Sequence, residues 1–231
     1  MAGGQLRAVL FDVDFTLARP GPELGPEGYE RLGRAHGLRL DPKRYPAARA
    51  AAIADLQTHP ELDHDEAIWV RFTEDIVRGM GGAGPEVERI AREIVARWEH
   101  ADQFELYDDV LPVLAELRRV GLKLGLVSNT SRDLDAFVRH FGIDVDAWLS
   151  SGTHGKVKPS PLIFAAALEL LGVPAGEAVM VGDSLRDDIE GARACGMRAI
   201  LLDRSGANGG HASRIGSLRE LPEALGLRSV R

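Results

Sequence analysis

Hydrophobic and polar positions follow two different patterns on either side of residue 105. Between about residues 26 and 104 the pattern is helical throughout. Four helices are predicted in this block, at about 26–36, 44–57, 64–79 and 85–99. Residues 18–26 are rich in proline and glycine, so we expect them to break any regular element. Trp69, Phe72 and Ile76 recur at helical spacing, which predicts a hydrophobic core within the helical block.

After residue 105, short apolar strands alternate with helices. Strands are predicted at 122–127, at 178–181, at 199–202 and, more weakly, near 147–149. Helices are predicted at 108–120, 132–141, 161–171 and 186–194, with a short one near 218–225 after a loop that starts at Gly206. This alternation is typical of a parallel α/β sheet. The apolar run at residues 6–11 needs that sheet as a partner.

The predicted fold is therefore α/β, with a Rossmann-like, doubly wound parallel sheet as its core and an all-helical domain inserted after the first strand. The core comprises residues 1–17 and 105–231, and the inserted domain comprises residues 18–104. If the two parts move by hinging, the joining segments near 17–22 and 100–106 are the expected hinges.

Composition excludes several classes of protein. The 231-residue chain has a formal net charge of −7 and no dense basic stripe, which disfavours a nucleic-acid partner. Its apolar runs are too short to span a membrane and its start does not resemble a signal peptide, so we expect a cytoplasmic protein without a membrane partner. The single cysteine, Cys195, cannot form an internal disulfide and is interpreted as a packing residue.

Polar side chains follow the predicted core strands at the point where each strand ends. Asp12 and Asp14 follow the first strand, Ser128 and Asn129 the second, and Asp183 a later one. Because the carboxyl ends of parallel strands share one edge of the sheet, these residues should converge on one crevice. Asp12 and Asp14 are two residues apart and should point to the same side, where they repel each other unless a cation or a shared proton intervenes.

The side chains of this crevice fit phosphoryl transfer. Asp12, Asp14 and Asp183 offer hard oxygen ligands of the kind that Mg²⁺ prefers, and no His or Cys cluster suited to zinc accompanies them. Thr16 and Ser128 supply hydroxyl groups, and Lys158 supplies a positive charge. Carboxylates, a divalent cation, hydroxyl donors and a lysine are the parts that position and neutralise a transferring phosphoryl group.

Four segments combine these residues into motifs. They are Asp12-Val13-Asp14-Phe15-Thr16, Ser128-Asn129, Lys158-Pro159, and Gly182-Asp183 together with Asp188-Ile189-Glu190-Gly191-Ala192. These motifs closely resemble those of the haloacid dehalogenase superfamily, in its phosphatase branch with a helical (C1-type) cap. The resemblance covers nearly the whole core. The inserted helical domain resembles the cap that closes over the active site in this family.

The resemblance implies a Mg²⁺-dependent phosphatase that hydrolyses a small-molecule phosphomonoester through an aspartyl-phosphate. Asp12 would be the nucleophile, and Asp14 would protonate the leaving alcohol and then deprotonate the attacking water. Mg²⁺ would be held by Asp12, by the backbone carbonyl of Asp14 and by Asp183. Asp188 would bind the metal directly or support its ligands. Asp187 is the less favoured candidate for this role.

The phosphate-binding residues implied by the resemblance are Thr16, Ser128, Asn129 and Lys158. Lys158 would pair with both Asp12 and the phosphate, with Lys156 as the alternative lysine. Phe15 departs from the family pattern, which usually has a small or polar residue there. Its ring either serves only for packing or narrows the entrance to the active site under the cap. We favour the packing role.

Other branches of the family are alternatives to a phosphatase. The dehalogenase branch of the family needs no metal and generally lacks the second acid, so Asp14 and Asp183 argue against it. A phosphonate-cleaving branch lacks that acid too and relies on a cap lysine, for which only Lys43 is present. A phosphomutase would keep both acids, although Gly182 before Asp183 favours a phosphatase.

Outside the family, a response-regulator receiver would be about half this length, and a catalytically inactive binding protein would not need every chemical group that is present here.

The expected substrate is a small phosphorylated metabolite of undetermined identity, and the protein is expected to be a monomer or a homodimer. Candidate specificity residues in the inserted domain are Arg44, Arg49, His59, His64, Trp69, Arg71 and Arg78. Residues 59–65 superficially resemble a metal cluster, but an interhelix loop with Asp63 as the helix cap is the favoured interpretation.

Overall fold

A computed structural model describes residues 5–58, 63–206 and 213–227 of the chain. It divides into two compact units. Met1–Arg19 and Leu106–Arg231 form the core unit, and Pro20–Glu105 form the helical unit. The sequence pattern alone placed these divisions after residues 17 and 104. None of the helices in the described part of the chain is long and apolar enough to cross a lipid bilayer.

A six-stranded, fully parallel sheet forms the centre of the core unit. The strands of the whole chain are β1 (Ala8–Phe11), β2 (Ala18–Pro20), β3 (Phe104–Leu106), β4 (Lys123–Ser128), β5 (Ala147–Ser150), β6 (Ala178–Gly182), β7 (Arg198–Leu202) and β8 (Arg214–Ile215). The order across the sheet is β5-β4-β1-β6-β7-β8. The sheet therefore grows outward from β1 in two directions, which is the doubly wound arrangement predicted from the sequence.

The central position of β1 explains its unbroken apolar sequence. All four residues of β1 are buried, since β4 pairs with one edge of the strand and β6 with the other. In register, Phe11 lies beside Leu126 of β4 and Val181 of β6. The carboxyl ends of these three strands consequently lie side by side, and each leads into one of the predicted motifs.

Ten α-helices are present in the described residues. They are α1 (Pro26–Ala35), α2 (Tyr45–Thr58), α3 (Glu66–Gly79), α4 (Glu86–Trp98), α5 (Val110–Arg119), α6 (Leu134–Phe141), α7 (Ser151–His154), α8 (Pro161–Leu171), α9 (Gly191–Ala194) and α10 (Leu221–Ala224). Helix α8 buries Ile163, Phe164 and Leu171 in a cluster that also contains Leu10 of β1 and Met180 of β6. Cys195 is partly buried against this cluster, in agreement with a packing role.

The helical unit has its own apolar core. Helix α3 packs against both α2 and α4, and Ile76, Val77 and Ile90 are fully buried. Phe72 and Ile76 are buried as predicted, and the Trp69 ring makes an edge contact with Phe72 at a centroid distance of 6.1 Å.

One prediction about the joining segments was wrong. Residues 18–26 contain strand β2 and a 3₁₀ turn at Pro22–Leu24, although we expected no regular element there. Strand β2 pairs with β3 in a two-stranded sheet where the chain passes between the units. Each of these strands has three residues, which is too short for an alternating pattern to show in the sequence.

Candidate active site

The loop that follows β1 is held in a tight turn by its own backbone. The N–H groups of Leu17 and Ala18 both donate to the carbonyl of Val13, at 2.8 and 2.9 Å. Inside this turn Phe15 has a φ of +64°, in the left-handed region that glycine and asparagine adopt most easily. This conformation explains physically why a small or polar residue suits the position, and why a phenylalanine there is unusual.

Lys158 lies between two aspartates of the site. Its Nζ donates to Asp12 Oδ1 and to Asp188 Oδ1, both at 2.6 Å, and the lysine is only 3% exposed. Burial alone would lower the pKa of Lys158, but the charges of Asp12 and Asp188 outweigh burial and raise the pKa above its usual value. The lysine is therefore positively charged at neutral pH, and it is Lys158, not Lys156, that reaches Asp12.

Asn129 fixes the backbone of Lys158. Its Oδ1 accepts a hydrogen bond from the N–H of Lys158 at 2.7 Å, and its Nδ2 donates to the carbonyl of the same residue at 3.0 Å. The side-chain amide predicted to bind phosphate thus connects the loop after β4 to the lysine. These hydrogen bonds hold together two segments that are 29 positions apart in the sequence.

The segment after β6 brings Asp188 into the site through a π-helical turn at Leu185–Glu190. The carbonyl of Ser184 accepts from the N–H groups of both Asp188 and Ile189, at 3.1 and 3.2 Å. In return, Asp188 Oδ2 accepts from the N–H of Ser184 at 3.0 Å. The sequence predicted one α-helix over 186–194, whereas the structure has this π turn followed by the short helix α9. Such turns are frequent at functional sites.

Gly182 leaves the space that Asp188 occupies. A Cβ at position 182 would lie 2.2 Å from Asp188 Oδ2 and 2.3 Å from its Cγ. The carboxylate of Asp188 is fully buried here, and burial raises its pKa, against the opposing effect of Lys158. The glycine is thus required by the position of a neighbouring acid.

Three carboxylates form a compact cluster at the edge of the sheet. Oxygens of Asp12, Asp183 and Asp188 all lie within 4.8 Å of one another. An all-carboxylate donor set of this size matches the preference of Mg²⁺ for a few acidic oxygens. Asp187, the neighbour of Asp188, is not a member of this cluster.

Asp14 has a partner that the sequence analysis missed. Its Oδ1 accepts from both terminal nitrogens of Arg132, each at 3.1 Å. The Arg132 side chain is completely buried, and its guanidinium also lies 5.4 Å from the centre of the Phe137 ring. Burial raises the pKa of Asp14 above its usual value, and the charge of Arg132 offsets part of this rise. The only signal in the sequence was an arginine three residues after Asn129, in the same loop.

The two predicted hydroxyl residues, Thr16 and Ser128, are both buried. Ser128, the last residue of β4, is 1% exposed, and Thr16 is fully buried. Thr16 Oγ1 finds no hydrogen-bond partner among the residues that the structure describes. Since buried hydroxyl groups are normally paired, this one has a donor available for an anion. The Thr16 carbonyl accepts from Arg204 at 2.9 Å, which fixes the loop from the other side.

The candidate specificity residues lie in the helical unit. Arg71 pairs with Asp65 at 3.2 Å and Arg78 pairs with Glu74 at 2.6 Å. Asp65 is the residue that caps α3, through its contact with the N–H of Ala67, so the prediction that Asp63 is the cap was wrong. The remaining candidates with described positions are Arg44, Arg49, His64 and Trp69. His59 lies outside the described residues.

The chain is similar in sequence to hydrolases of a known family. The family model of haloacid dehalogenase-like hydrolases matches residues 6–196. A phosphoserine phosphatase of Thermus thermophilus is 32% identical, over 95% of this chain and 100% of its own. A glyceraldehyde 3-phosphate phosphatase of Methanopyrus kandleri is 33% identical, over 86% of this chain and 84% of its own.

A solved structure of similar fold extends the match to the whole molecule. The crystal structure of a phosphatase of the same superfamily from Thermococcus onnurineus is 29% identical, with a TM-score of 0.67, and covers 97% of this chain and 100% of that one. The motifs at the ends of β1, β4 and β6, together with these matches over nearly the full length, show that the chain belongs to the haloacid dehalogenase-like hydrolases.

Proposed function

We propose that this hydrolase is a Mg²⁺-dependent phosphatase that cleaves a small-molecule phosphomonoester through an aspartyl-phosphate at Asp12. The observation that carries the proposal is the buried contact of Lys158 with Asp12 and Asp188, beside Asp183. The carboxylate of Asp12 can act as a nucleophile towards a phosphate group if positive charge offsets the repulsion between the two anions. Lys158 supplies part of that charge, and a divalent cation would supply the rest.

Asp12 attacks phosphorus in the first step, and the bond between phosphorus and the leaving oxygen breaks. Lys158 holds Asp12 in place through its hydrogen bond to Oδ1 and supplies a positive charge to the phosphoryl oxygens. Asp14 gives its proton to the leaving alcohol. In the second step Asp14 takes a proton from water as the water attacks phosphorus, and inorganic phosphate leaves as Asp12 is regenerated.

The concentration of acids at this edge of the sheet supports a bound divalent cation. Four acids belong to the site, where Lys158 pairs with Asp12 and Asp188, Arg132 pairs with Asp14, and Asp183 lies beside Asp12 and Asp188. Asp12 and Asp183 would hold Mg²⁺, together with the backbone carbonyl of Asp14 that the family resemblance indicates, and Asp188 would support them from beside Lys158. When bound, the cation neutralises the carboxylates and the incoming phosphate together.

Phosphate binding is assigned to Thr16, Ser128 and Lys158, with Asn129 holding the lysine in place. The unpartnered hydroxyl of Thr16 supports this assignment. Substrates named for the relatives are phosphoserine and glyceraldehyde 3-phosphate. Both are small phosphorylated metabolites, and we assign this chain to the same broad class of substrate.

The packing around Gly182 supports a phosphatase over a phosphomutase. Sugar phosphomutases of the family often carry an acid at this position, whereas a Cβ here would lie 2.2 Å from Asp188 Oδ2. The position therefore has no room for an acidic side chain.

The proposal is tested by hydrolysis of a generic aryl phosphate with Mg²⁺ and with excess EDTA. Turnover that needs Mg²⁺ and is abolished in Asp12→Asn supports the proposal. Asp183→Asn should raise the Mg²⁺ concentration for half-maximal rate by roughly 10-fold or more, because a ligand is lost. Asp187→Asn is the matched control, since it removes a neighbouring acid outside the cluster. Turnover that resists EDTA, or that survives in Asp12→Asn, would refute the proposal.

A further inference from the structure

Arg132 is the largest side chain that is fully buried in the described part of the chain. An arginine in this position is costly unless its charge is paired, and here the pairing is with Asp14. Neither the motifs nor the proposed chemistry requires a cation at this point. The presence of this cation therefore needs an explanation of its own.

The contacts of Arg132 hold it from several directions. Its N–H donates to Thr130 Oγ1 at 3.1 Å, and its guanidinium lies against the Phe137 ring of α6. The carbonyl of Thr130 in turn accepts from Gly152 N at 3.0 Å. The loop that carries the arginine is thus attached to the segment after β5, so the guanidinium has a fixed place.

The hydrogen bonds to Asp14 are asymmetric. Both terminal nitrogens of Arg132 donate to Oδ1, and no described residue donates to Oδ2. A carboxylate held by one oxygen keeps its other oxygen in a defined position. That second oxygen is the one available to carry the proton that the proposed reaction transfers.

We propose that Arg132 is a positioning residue for Asp14, which fixes Oδ1 so that Oδ2 is the oxygen that exchanges the proton. In the first step the proton moves from Oδ2 to the leaving oxygen as the bond between that oxygen and phosphorus breaks. In the second step Oδ2 receives a proton from water as the oxygen of that water bonds to phosphorus. The inference rests on the proposed function, because it assigns a role to Asp14 in that reaction.

The leaving group distinguishes positioning from simple stabilisation. A dinitrophenolate leaves without a proton, whereas an alkoxide needs one, so a misplaced acid impairs alkyl phosphates selectively. We expect Arg132→Met to lower kcat/KM about 100-fold for an alkyl phosphate and less than about threefold for 2,4-dinitrophenyl phosphate. Arg132→Lys, which restores the charge, should recover part of the loss. Asp14→Asn should show the same selectivity, and combining it with Arg132→Met should add little.

Arg118→Met is the matched control. Arg118 also makes a double ion pair in the core unit, with Asp144 and Asp146, but it lies near the start of β4, at the opposite end of that strand from Ser128. This variant should leave the ratio of the two kcat/KM values unchanged. An equal loss on both substrates in Arg132→Met, or additive losses in the double variant, would overturn the inference.

A crystal structure of Arg132→Lys and Arg132→Met provides a readout that does not depend on turnover. We expect the Asp14 carboxylate to occupy more than one position in the methionine variant. A single, unchanged position would overturn the inference even if the wild type proved inactive. Absence of Asp12-dependent turnover in the wild type would instead refute the proposed function, so the two failures are distinguishable.

Discussion

Gly182→Ala tests whether the position of Asp188 is essential to the site. The added Cβ would lie 2.2 Å from Asp188 Oδ2, whereas ordinary contact begins near 3.4 Å. Either the carboxylate or the end of β6 must therefore move by about 1 Å. Asp188 has little freedom to do so, because Lys158 and the N–H of Ser184 hold its two oxygens.

Two magnitudes follow from this overlap. Overpacking in a closely packed interior costs about 1–3 kcal/mol of unfolding free energy. A displacement of about 1 Å in a catalytic group lowers turnover roughly 100-fold. Because Asp188 supports the carboxylates assigned to Mg²⁺, the half-saturating Mg²⁺ concentration should rise about 10- to 100-fold.

The assay is aryl phosphate hydrolysis across a Mg²⁺ titration, accompanied by urea unfolding of the same samples. Gly176→Ala is the control, because it lies just before the same strand and a Cβ there has open space around it. We expect the control to behave as the wild type. If Gly182→Ala keeps the turnover and Mg²⁺ requirement of the wild type, the reasoning from Asp188 is refuted.

Further predictions concern the supports of the site. Asn129→Ala removes both hydrogen bonds to the Lys158 backbone. The free energy of unfolding should therefore fall by about 2 kcal/mol and kcat by about 10-fold. An unchanged kcat would contradict a role of Asn129 in holding Lys158. Asp109→Asn breaks a buried pair with Arg204 and should cost about 3 kcal/mol at pH 7, measured by urea unfolding. Burial raises the pKa of Asp109, but the hydrogen bonds and charge of Arg204 outweigh burial and hold the pKa below its ordinary value of 3.8. The ionised Asp109 therefore stabilises the fold fully above pH 3.8, and this stabilisation is lost as the pH falls through the lower pKa of the folded state. The gap between wild type and Asp109→Asn should therefore close in acid, and a gap that persists there would contradict this assignment.

The hydrophobic pattern predicted the longer elements well, because burial follows one regular pattern along the whole length of each element. Helix α8 begins and ends where the pattern placed it, at Pro161 and Leu171, since a proline and a glycine mark its two ends. The buried strand β1 was also evident, because both of its edges are paired and all its residues face the interior. The same logic predicted that Asp12 and Asp183 meet at one edge of the sheet, and their carboxylates do lie together there.

Features that depend on contacts between distant segments were not predictable. Arg132 is buried only because Asp14 and Phe137, which are far from each other in sequence, meet it in the folded core, and an arginine is exposed by default. The π turn at Leu185–Glu190 has the composition of an α-helix, and it forms where Asp188 folds back onto Ser184. Strand β8 has only two residues, too few for any periodicity.

Mass spectrometry of enzyme quenched in acid during turnover of a phosphate ester tests directly whether Asp12 forms an aspartyl-phosphate. We expect a phosphoryl group on the peptide that contains Asp12, and no such group in Asp12→Asn. Asp14→Asn should retain the label longer after excess substrate is removed, because the attack of water is impaired. Active enzyme that carries no phosphoryl group at Asp12, or that carries it on another residue, would refute Asp12 as the nucleophile.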